Sequence, residues 1–169
     1  PNLSYAQLKD FYQSHYHPTN AIFMTYGDIS AEEHHQKFEQ LALSRFKKLD
    51  VNISVPKEKR YLAPVRVHEK YAFDEEGSTE EKTHLVMGWL WGQSANLQDL
   101  LQGQLLASVL LDNSNSPLQR VLETTELGNS PSPLCGLEDS MRELTFVCGI
   151  EGAHDDNCEA IEQPILDTI

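Results

Sequence analysis

The stretch THLVMGWLWG, residues 83–92, constrains the fold of this chain more than any other. Successive residues of a strand point to opposite faces of the sheet, and here both faces are largely apolar. A strand with one face in water alternates apolar and polar residues instead, so the pattern predicts a strand in the centre of its sheet. The stretch NLQDLLQGQLLASVLLD follows it, and its apolar residues recur at helical spacing, which predicts a long helix.

The first fifty residues show two helix starts with a short strand between them. Ser4 and Gln7 form the pattern of a capping box, in which each side chain bonds the other residue's backbone N–H, and Ser30 and Glu33 repeat that spacing. Between these helices, NAIFMTYG at 20–27 predicts a short strand that ends at a glycine. The segment is therefore expected to form helix, strand and helix.

The last third of the chain predicts a second strand and two more helices. ELTFVCGIEG, residues 143–152, alternates apolar and other residues as a strand does. Ser116 is placed to cap a helix, and Gly128 is expected to end that helix in the left-handed conformation. A final helix is expected to begin near Asp156, and Pro164 should kink it.

These elements predict an α+β protein in three parts. Residues 1–49 form the helix–strand–helix segment, and residues 83–169 form the strand and helix region. Residues 50–82 join them: KEKRYLAPVRVHEKYAF has a strand-like alternation, and the polar DEEGSTEEK follows it. We interpret this middle segment as a connector with an extended part and an exposed loop.

Composition excludes several classes of partner and site. The chain has 26 acidic and 13 basic residues, a net charge of −13, which argues against nucleic acid and anionic membrane as partners. No apolar run approaches the roughly 18 residues that a membrane span needs. Its three cysteines include no C-x-x-C pair, so a disulfide framework is not expected and a reducing compartment fits better. A cytoplasmic parent protein is therefore the expectation.

Four histidines crowd into residues 14–35 and raise the question of a metal site. Zinc needs three or four ligands that converge at about 2 Å. His34 and His35 are adjacent, so on a helix their side chains diverge by about 100°, and neighbouring Glu32 and Glu33 complete neither H-E-x-x-H nor H-x-x-E-H. His15 and His17 straddle a helix end. Half-exposed helix-end histidines are the simpler interpretation, and an autonomous metal-binding domain is the alternative. The other histidines are isolated: His68, His84 and His154.

No other catalytic pattern is present in the sequence. The loop GNSPSPLCG lacks the lysine of a phosphate-binding loop, and no G-x-S-x-G elbow occurs. Asp155-Asp156 and Glu75-Glu76 are interpreted as solvated charges, and Cys148 as a buried thiol. The sequence therefore predicts no catalytic residue, no cofactor-binding residue and no metal ligand in this chain.

The order of several of these patterns resembles the pitrilysin/insulinase-type zinc metallopeptidases. The similar features are Leu3-Ser4, Leu8, the turn HYHPTN at 15–20 and a strand ending in Gly27-Asp28. Two later stretches resemble the presequence-protease branch in particular: LLASVLLDNSNSPLQRVLETTELG and GLEDSMRELTFVCGIEG. The resemblance covers most of the chain and is weakest over residues 50–82.

This resemblance implies a fold of two-layer α/β units, each with a mainly antiparallel sheet covered by helices. In the family, zinc is held by H-x-x-E-H and a later Glu, and that motif is absent from these 169 residues. The chain then resembles the end of the catalytic unit followed by the opening part of a non-catalytic unit. The implied function is to shape a peptide chamber in a zinc metalloendopeptidase that degrades unstructured peptides, with the rest of the parent and the peptide as partners.

Two further expectations complete the interpretation. A structural or assembly subunit that shares the fold but has no peptidase activity is the alternative function. The isolated chain is expected to self-associate through its N-terminal segment, because the strand at 21–26 would have an unpaired edge and such edges recruit other strands. The alternative to self-association is that this segment folds back on the sheet of the second unit.

Overall fold

The computed structural model describes residues 2–74 and 77–169. Two compact units adjoin in sequence between Pro56 and Lys57. The acidic pair Glu75-Glu76 lies outside the described residues. The three-part division of the chain at 1–49, 50–82 and 83–169 stays a prediction.

The first unit begins with helix α1, Tyr5–His15, and its predicted capping box is confirmed. The Ser4 N–H donates to Gln7 Oε1 at 2.8 Å, and the Gln7 N–H donates to Ser4 Oγ at 3.3 Å. These bonds satisfy backbone donors that the first turn of a helix otherwise leaves without partners. The helix ends before a 3-10 turn at Pro18–Asn20, as expected for a chain that meets a proline.

Helix α2 spans Ala31–Leu41, and a 3-10 turn at Leu43–Arg45 follows it. Ser30 Oγ accepts from the Glu33 N–H at 3.2 Å, which is one half of the predicted box. The Glu33 carboxylate instead pairs with Lys37 at 2.8 Å, one helical turn later.

The strand predicted at 20–27 is not formed. The backbone there belongs to no ladder, and Ile22 and Tyr26 are exposed at 96% and 104%. A strand needs a partner for its backbone groups, and in the described part of this unit no other strand is available to pair with it. The expected route to self-association through an edge at 21–26 therefore loses its structural basis, and self-association itself stays a prediction.

The second unit is built on a four-stranded antiparallel sheet. Strand β4, Glu143–Ala153, lies in the middle and pairs with β1, Thr83–Gln93, along most of its length. On its other side β4 pairs with two short strands, β2 at Ser130–Pro131 and β3 at Gly136–Glu138. The expected α+β fold with a mainly antiparallel sheet is confirmed.

Three helices complete the second layer: α3 at Leu97–Leu111, α4 at Pro117–Thr124 and α5 at Cys158–Thr168. The side chains between the layers form the core. Alternate residues of β4 face these helices, and they are buried together with leucines and isoleucines of α4 and α5. The buried set is Leu110, Leu118, Leu122, Phe146, Cys148, Ile150, Ala153, Ile161 and Ile165. No helix among the described residues is both long enough and apolar enough to cross a membrane.

One sequence prediction about this sheet is wrong. Strand β1 is at the edge of the described sheet and not at its centre, since β4 is its only partner there. Its second face is partly exposed, with Val86 and Leu90 open to solvent. The extended part predicted for the connector stays a prediction: residues 57–74 belong to no ladder, and the chain bends at residues 62 and 63.

Gly128 does not end a helix. Helix α4 already ends at Thr124, and the φ of Gly128 lies outside the left-handed region. The residue is small for another reason, because an added Cβ would overlap Ile150 Cγ2 and lie 3.3 Å from the Glu151 carbonyl oxygen. Ile150 is β-branched and fully buried, so it has little freedom to move aside.

We therefore expect Gly128→Ala to destabilise the second unit by about 1–3 kcal/mol, the usual effect of overpacking a core. Gly88→Ala is the matched control, because its Cβ would lie 3.7 Å from Thr145 Cγ2, an ordinary contact. Urea denaturation of both variants measures the difference. Equal midpoints for the two alanine variants would contradict this account.

Candidate functional site

The first pair of histidines serves the local backbone. His15 stacks on Phe11 with ring centroids 3.9 Å apart, and its Nδ1 lies 3.0 Å from the Phe11 carbonyl oxygen. His17 Nδ1 accepts a hydrogen bond from the Thr19 N–H at 3.2 Å and so caps the following 3-10 turn. Both Nδ1 atoms are therefore engaged by the chain on either side of the helix end.

The second pair diverges, as adjacent residues on a helix must. His34 faces the Phe38 ring at 6.2 Å. His35 lines a shallow apolar depression of about 450 Å³ together with Phe23, Phe38 and Leu43. Glu33, beside them, is bonded to Lys37, and this contact lowers the pKa of the Glu33 carboxyl. The depression offers an apolar lining with few polar groups, and it does not gather the histidines.

The remaining histidines lie in the second unit. His154 Nδ1 accepts from the Asp156 N–H at 3.4 Å and borders a cleft of about 60 Å³. His84 Nδ1 lies 3.9 Å from Glu151 Oε2. His68 is exposed in the segment that precedes β1. Among residues 2–74 and 77–169, no group of three or more His, Cys, Asp or Glu side chains is placed to hold a metal ion.

The cysteines are poor candidates for nucleophiles. Cys148 is 0% exposed, and burial with the nearby Cys135 raises the pKa of its thiol to about 12. Burial also raises the pKa of Cys135 and of Cys158. A nucleophilic cysteine needs a lowered pKa, because the thiolate is the reactive form. These thiols are therefore protonated at neutral pH and act as small apolar groups.

One carboxylate that the sequence did not single out is held firmly. Glu143 begins β4, and its side chain is mostly buried. The Glu58 N–H donates to its Oε2, and Arg60 donates to its Oε1 at 2.5 Å. The hydrogen bond from Glu58 contributes most to lowering the pKa of Glu143, and Arg60 adds to it against the effect of burial. The partners lie more than eighty residues earlier, so no local pattern identifies this contact.

A second missed feature is an apolar stripe on the outer side of α3. Four large side chains at four-residue spacing share one helix face and are all more than half exposed. The sequence signal was present, since α3 is apolar on most sides, as buried helices are. The stripe comprises Leu97, Leu101, Leu105 and Val109.

Residues 2–169 match a family described as the peptidase M16 inactive domain. This chain belongs to that family. Among curated relatives of this M16 inactive-domain chain, a presequence protease from Danio rerio is 32% identical over 170 residues, and one from Xenopus tropicalis is 33% identical. Presequence protease 1 from Arabidopsis thaliana is 29% identical over 171 residues. Each alignment covers the whole chain.

The M16 inactive-domain chain spans only about one-sixth of these relatives, 16–17% of their length. The resemblance to a non-catalytic segment of the presequence-protease branch is thus confirmed. The expected cytoplasmic location is wrong, because the two animal relatives are named mitochondrial and the plant relative chloroplastic/mitochondrial. Free thiols distinguish reducing from oxidising compartments, but they do not distinguish one reducing compartment from another.

The histidine geometry predicts that the isolated chain holds no zinc at stoichiometric level. Its ring nitrogens bond the backbone or point apart, and a tight site needs converging ligands. Metal analysis after dialysis against trace zinc checks this, with a His15→Ala/His17→Ala variant as the control. One tightly held equivalent that this variant loses would overturn the assignment.

The buried thiol predicts a specific pH dependence. The reference pKa of the Cys148 thiol is 9.0, and in the folded chain it is about 12. Between these values the unfolded chain has lost this proton while the folded chain retains it. The free energy of unfolding should therefore fall above pH 9, by at most about 1.4 kcal/mol per pH unit from this group.

Denaturation midpoints from pH 7 to pH 11 measure this slope. Above pH 9 the denaturation midpoint of Cys148→Ala should fall less steeply with pH than that of the unsubstituted chain. Cys158→Ala changes a more exposed thiol, so its midpoint should keep most of the pH dependence. Parallel profiles for all three proteins would show that Cys148 titrates normally.

Proposed function

We propose that this chain is a non-catalytic part of a zinc metalloendopeptidase of the presequence-protease type, which degrades unstructured peptides. The match to an inactive peptidase domain over residues 2–169 carries the proposal. The described residues also bring no metal-binding set of side chains together. The zinc-bound water and its general base would be supplied by an H-x-x-E-H motif elsewhere in the parent.

In this proposal the chain contributes a surface that contacts the peptide and a second surface that packs against other parts of the parent. The sheet of the second unit has helices on one face, and its other face carries Val86 and Leu90 partly open to solvent. A partly apolar sheet face can contact side chains of many sequences, which suits a wall of a chamber for unstructured peptides. We assign this open sheet face to the peptide side and the α3 stripe to contact with other parts of the parent.

The location follows the relatives. A protein of this type is proposed to work in the mitochondrion, because both animal relatives are named for that organelle. Fractionation of cells that express the tagged full-length parent tests this point. Recovery of the parent only in the cytosol would contradict it.

The activity of the whole parent tests the main proposal. The full-length polypeptide should hydrolyse unstructured peptides and lose that activity with a chelator, whereas the 169-residue chain should leave the same peptides intact. A parent that lacks H-x-x-E-H and cleaves nothing would instead favour the assembly subunit. Cleavage by the isolated chain that a chelator blocks would contradict the non-catalytic assignment.

The assigned peptide face gives a residue-level prediction. In the full-length parent, Leu90→Lys should raise KM for apolar peptides by up to about ten-fold, which corresponds to the loss of one apolar contact. The kcat should stay close to that of the unchanged parent, since the reacting groups lie elsewhere. Leu166→Lys changes an exposed leucine of α5, on the helix side of the sheet, and is the matched control that should leave KM unchanged. An equal effect of both variants on KM would reject this assignment of faces.

A further inference from the structure

The second unit leaves one long sheet edge open, and a segment earlier in the same unit is unpaired. Strand β1 pairs with β4 on one side, and none of the described residues pairs with its other side. The strand contains no proline, lysine or glutamate to discourage association, although natural proteins usually protect exposed edges with such residues. Residues 61–73, YLAPVRVHEKYAF, lie in the same unit and belong to no ladder.

The segment before β1 is bonded to the sheet near both ends of β1. At one end the Glu58 N–H and the Arg60 guanidinium bond Glu143, which pairs with Gln93 in the sheet. At the other end the Tyr71 hydroxyl donates to the Lys82 carbonyl oxygen, next to the start of β1. The segment therefore runs antiparallel to β1.

Length supports a strand-like path between these two anchors. Strand β1 has eleven residues, which at a rise of about 3.3–3.4 Å span roughly 35 Å. The chain from Arg60 to Tyr71 reaches at most about 3.3–3.6 Å per residue when fully extended. The two stretches are therefore comparable in length, and the segment would need to straighten only at the bend at residues 62 and 63 to follow β1.

The contacts of an odd and an even residue of the segment also support a strand-like path. The Tyr71 ring meets the His84 ring edge-on, with centroids 5.5 Å apart, and His84 shares the open sheet face with Val86. Arg66, of opposite parity to Tyr71, reaches Glu162 on α5 at 2.5 Å, on the helix side. One odd and one even residue therefore contact opposite sides of the sheet, as they would in a strand.

We infer that residues 61–73 act as a strap that closes on β1 as an additional antiparallel strand. The Tyr71–His84 contact fixes the register and places Val67 opposite Gly88 and Val65 opposite Leu90. Both cross-strand pairs then join apolar groups on the open face, where Gly88 leaves room for a larger neighbour. Closure would satisfy backbone groups at the edge of β1 and prevent another strand from binding there.

The occupant of this edge is thus a segment of the chain itself. A second copy of the chain, or an extended peptide, could pair with the same backbone groups, but neither would be held by the three contacts at Glu143, Glu162 and Lys82. A tethered segment also has the advantage of high effective concentration. The inference concerns edge pairing within the chain and does not depend on the proposed peptidase function.

Disulfide trapping tests the register directly. In the 169-residue chain, Val67→Cys with Gly88→Cys should form an intrachain disulfide in a glutathione buffer, because opposite residues in antiparallel strands have Cβ atoms about 4.5–5.5 Å apart. His68→Cys with Gly88→Cys is the matched control, because residue 68 would face the other side of the sheet. Peptide mapping distinguishes these bonds from any that involve the native cysteines.

Amide hydrogen exchange on the unsubstituted chain provides a second measurement that needs no variant. Alternate amides within residues 63–71 should exchange several-fold more slowly than those of the segment at 20–27, which has no ladder. Equal trapping of both cysteine pairs, together with fast exchange across residues 61–73, would overturn the inference. Predominantly intermolecular disulfides would also overturn it, and would assign the edge to a second copy.

Discussion

Strand β4 is the element on which the second unit depends. Strands β1, β2 and β3 all bond to it, and in the described sheet none of the three bonds to another. Its alternate side chains also form the centre of the core between sheet and helices. Glycine at position 149 matters for the same reason, since an added Cβ would overlap the Leu85 carbonyl oxygen of the neighbouring strand. Any change that displaces β4 therefore disturbs the pairing and the packing together.

Local patterns in the sequence were sufficient to locate the helices and the two long strands, but not every helix end, since the side chain expected to cap α4, Ser116, makes no capping hydrogen bond. The capping box at Ser4 was predictable because its partners are three residues apart, and β4 because its alternation matches its burial. The segment at 20–27 was mispredicted because a strand exists only with a partner. Gly128 was misassigned because the reason for its size is Ile150, which is distant in sequence.

The same distinction applies to function. The lack of a zinc motif is a local property and can be recognised from sequence. The hydrogen bonds that hold Glu143 join residues more than eighty positions apart, so no sequence pattern reveals them. The apolar second face of β1 was interpreted as a sign of a central strand, yet in this chain that face is partly exposed. Apolar character indicates a surface that becomes covered, but it does not say whether a strand, a helix or a bound peptide covers it.

The order of elements around β4 also has consequences for synthesis. The chain passes through α3, α4, β2 and β3 before β4 is made, so β1 leaves the ribosome without its partner. At about 5–20 residues per second, the intervening stretch takes roughly 3–10 s to make. During this interval the apolar residues of β1 are unpaired, while the neighbouring helices can already form from local contacts. The nascent chain thus exposes an apolar, unpaired strand for seconds, a period in which chaperone binding would protect it.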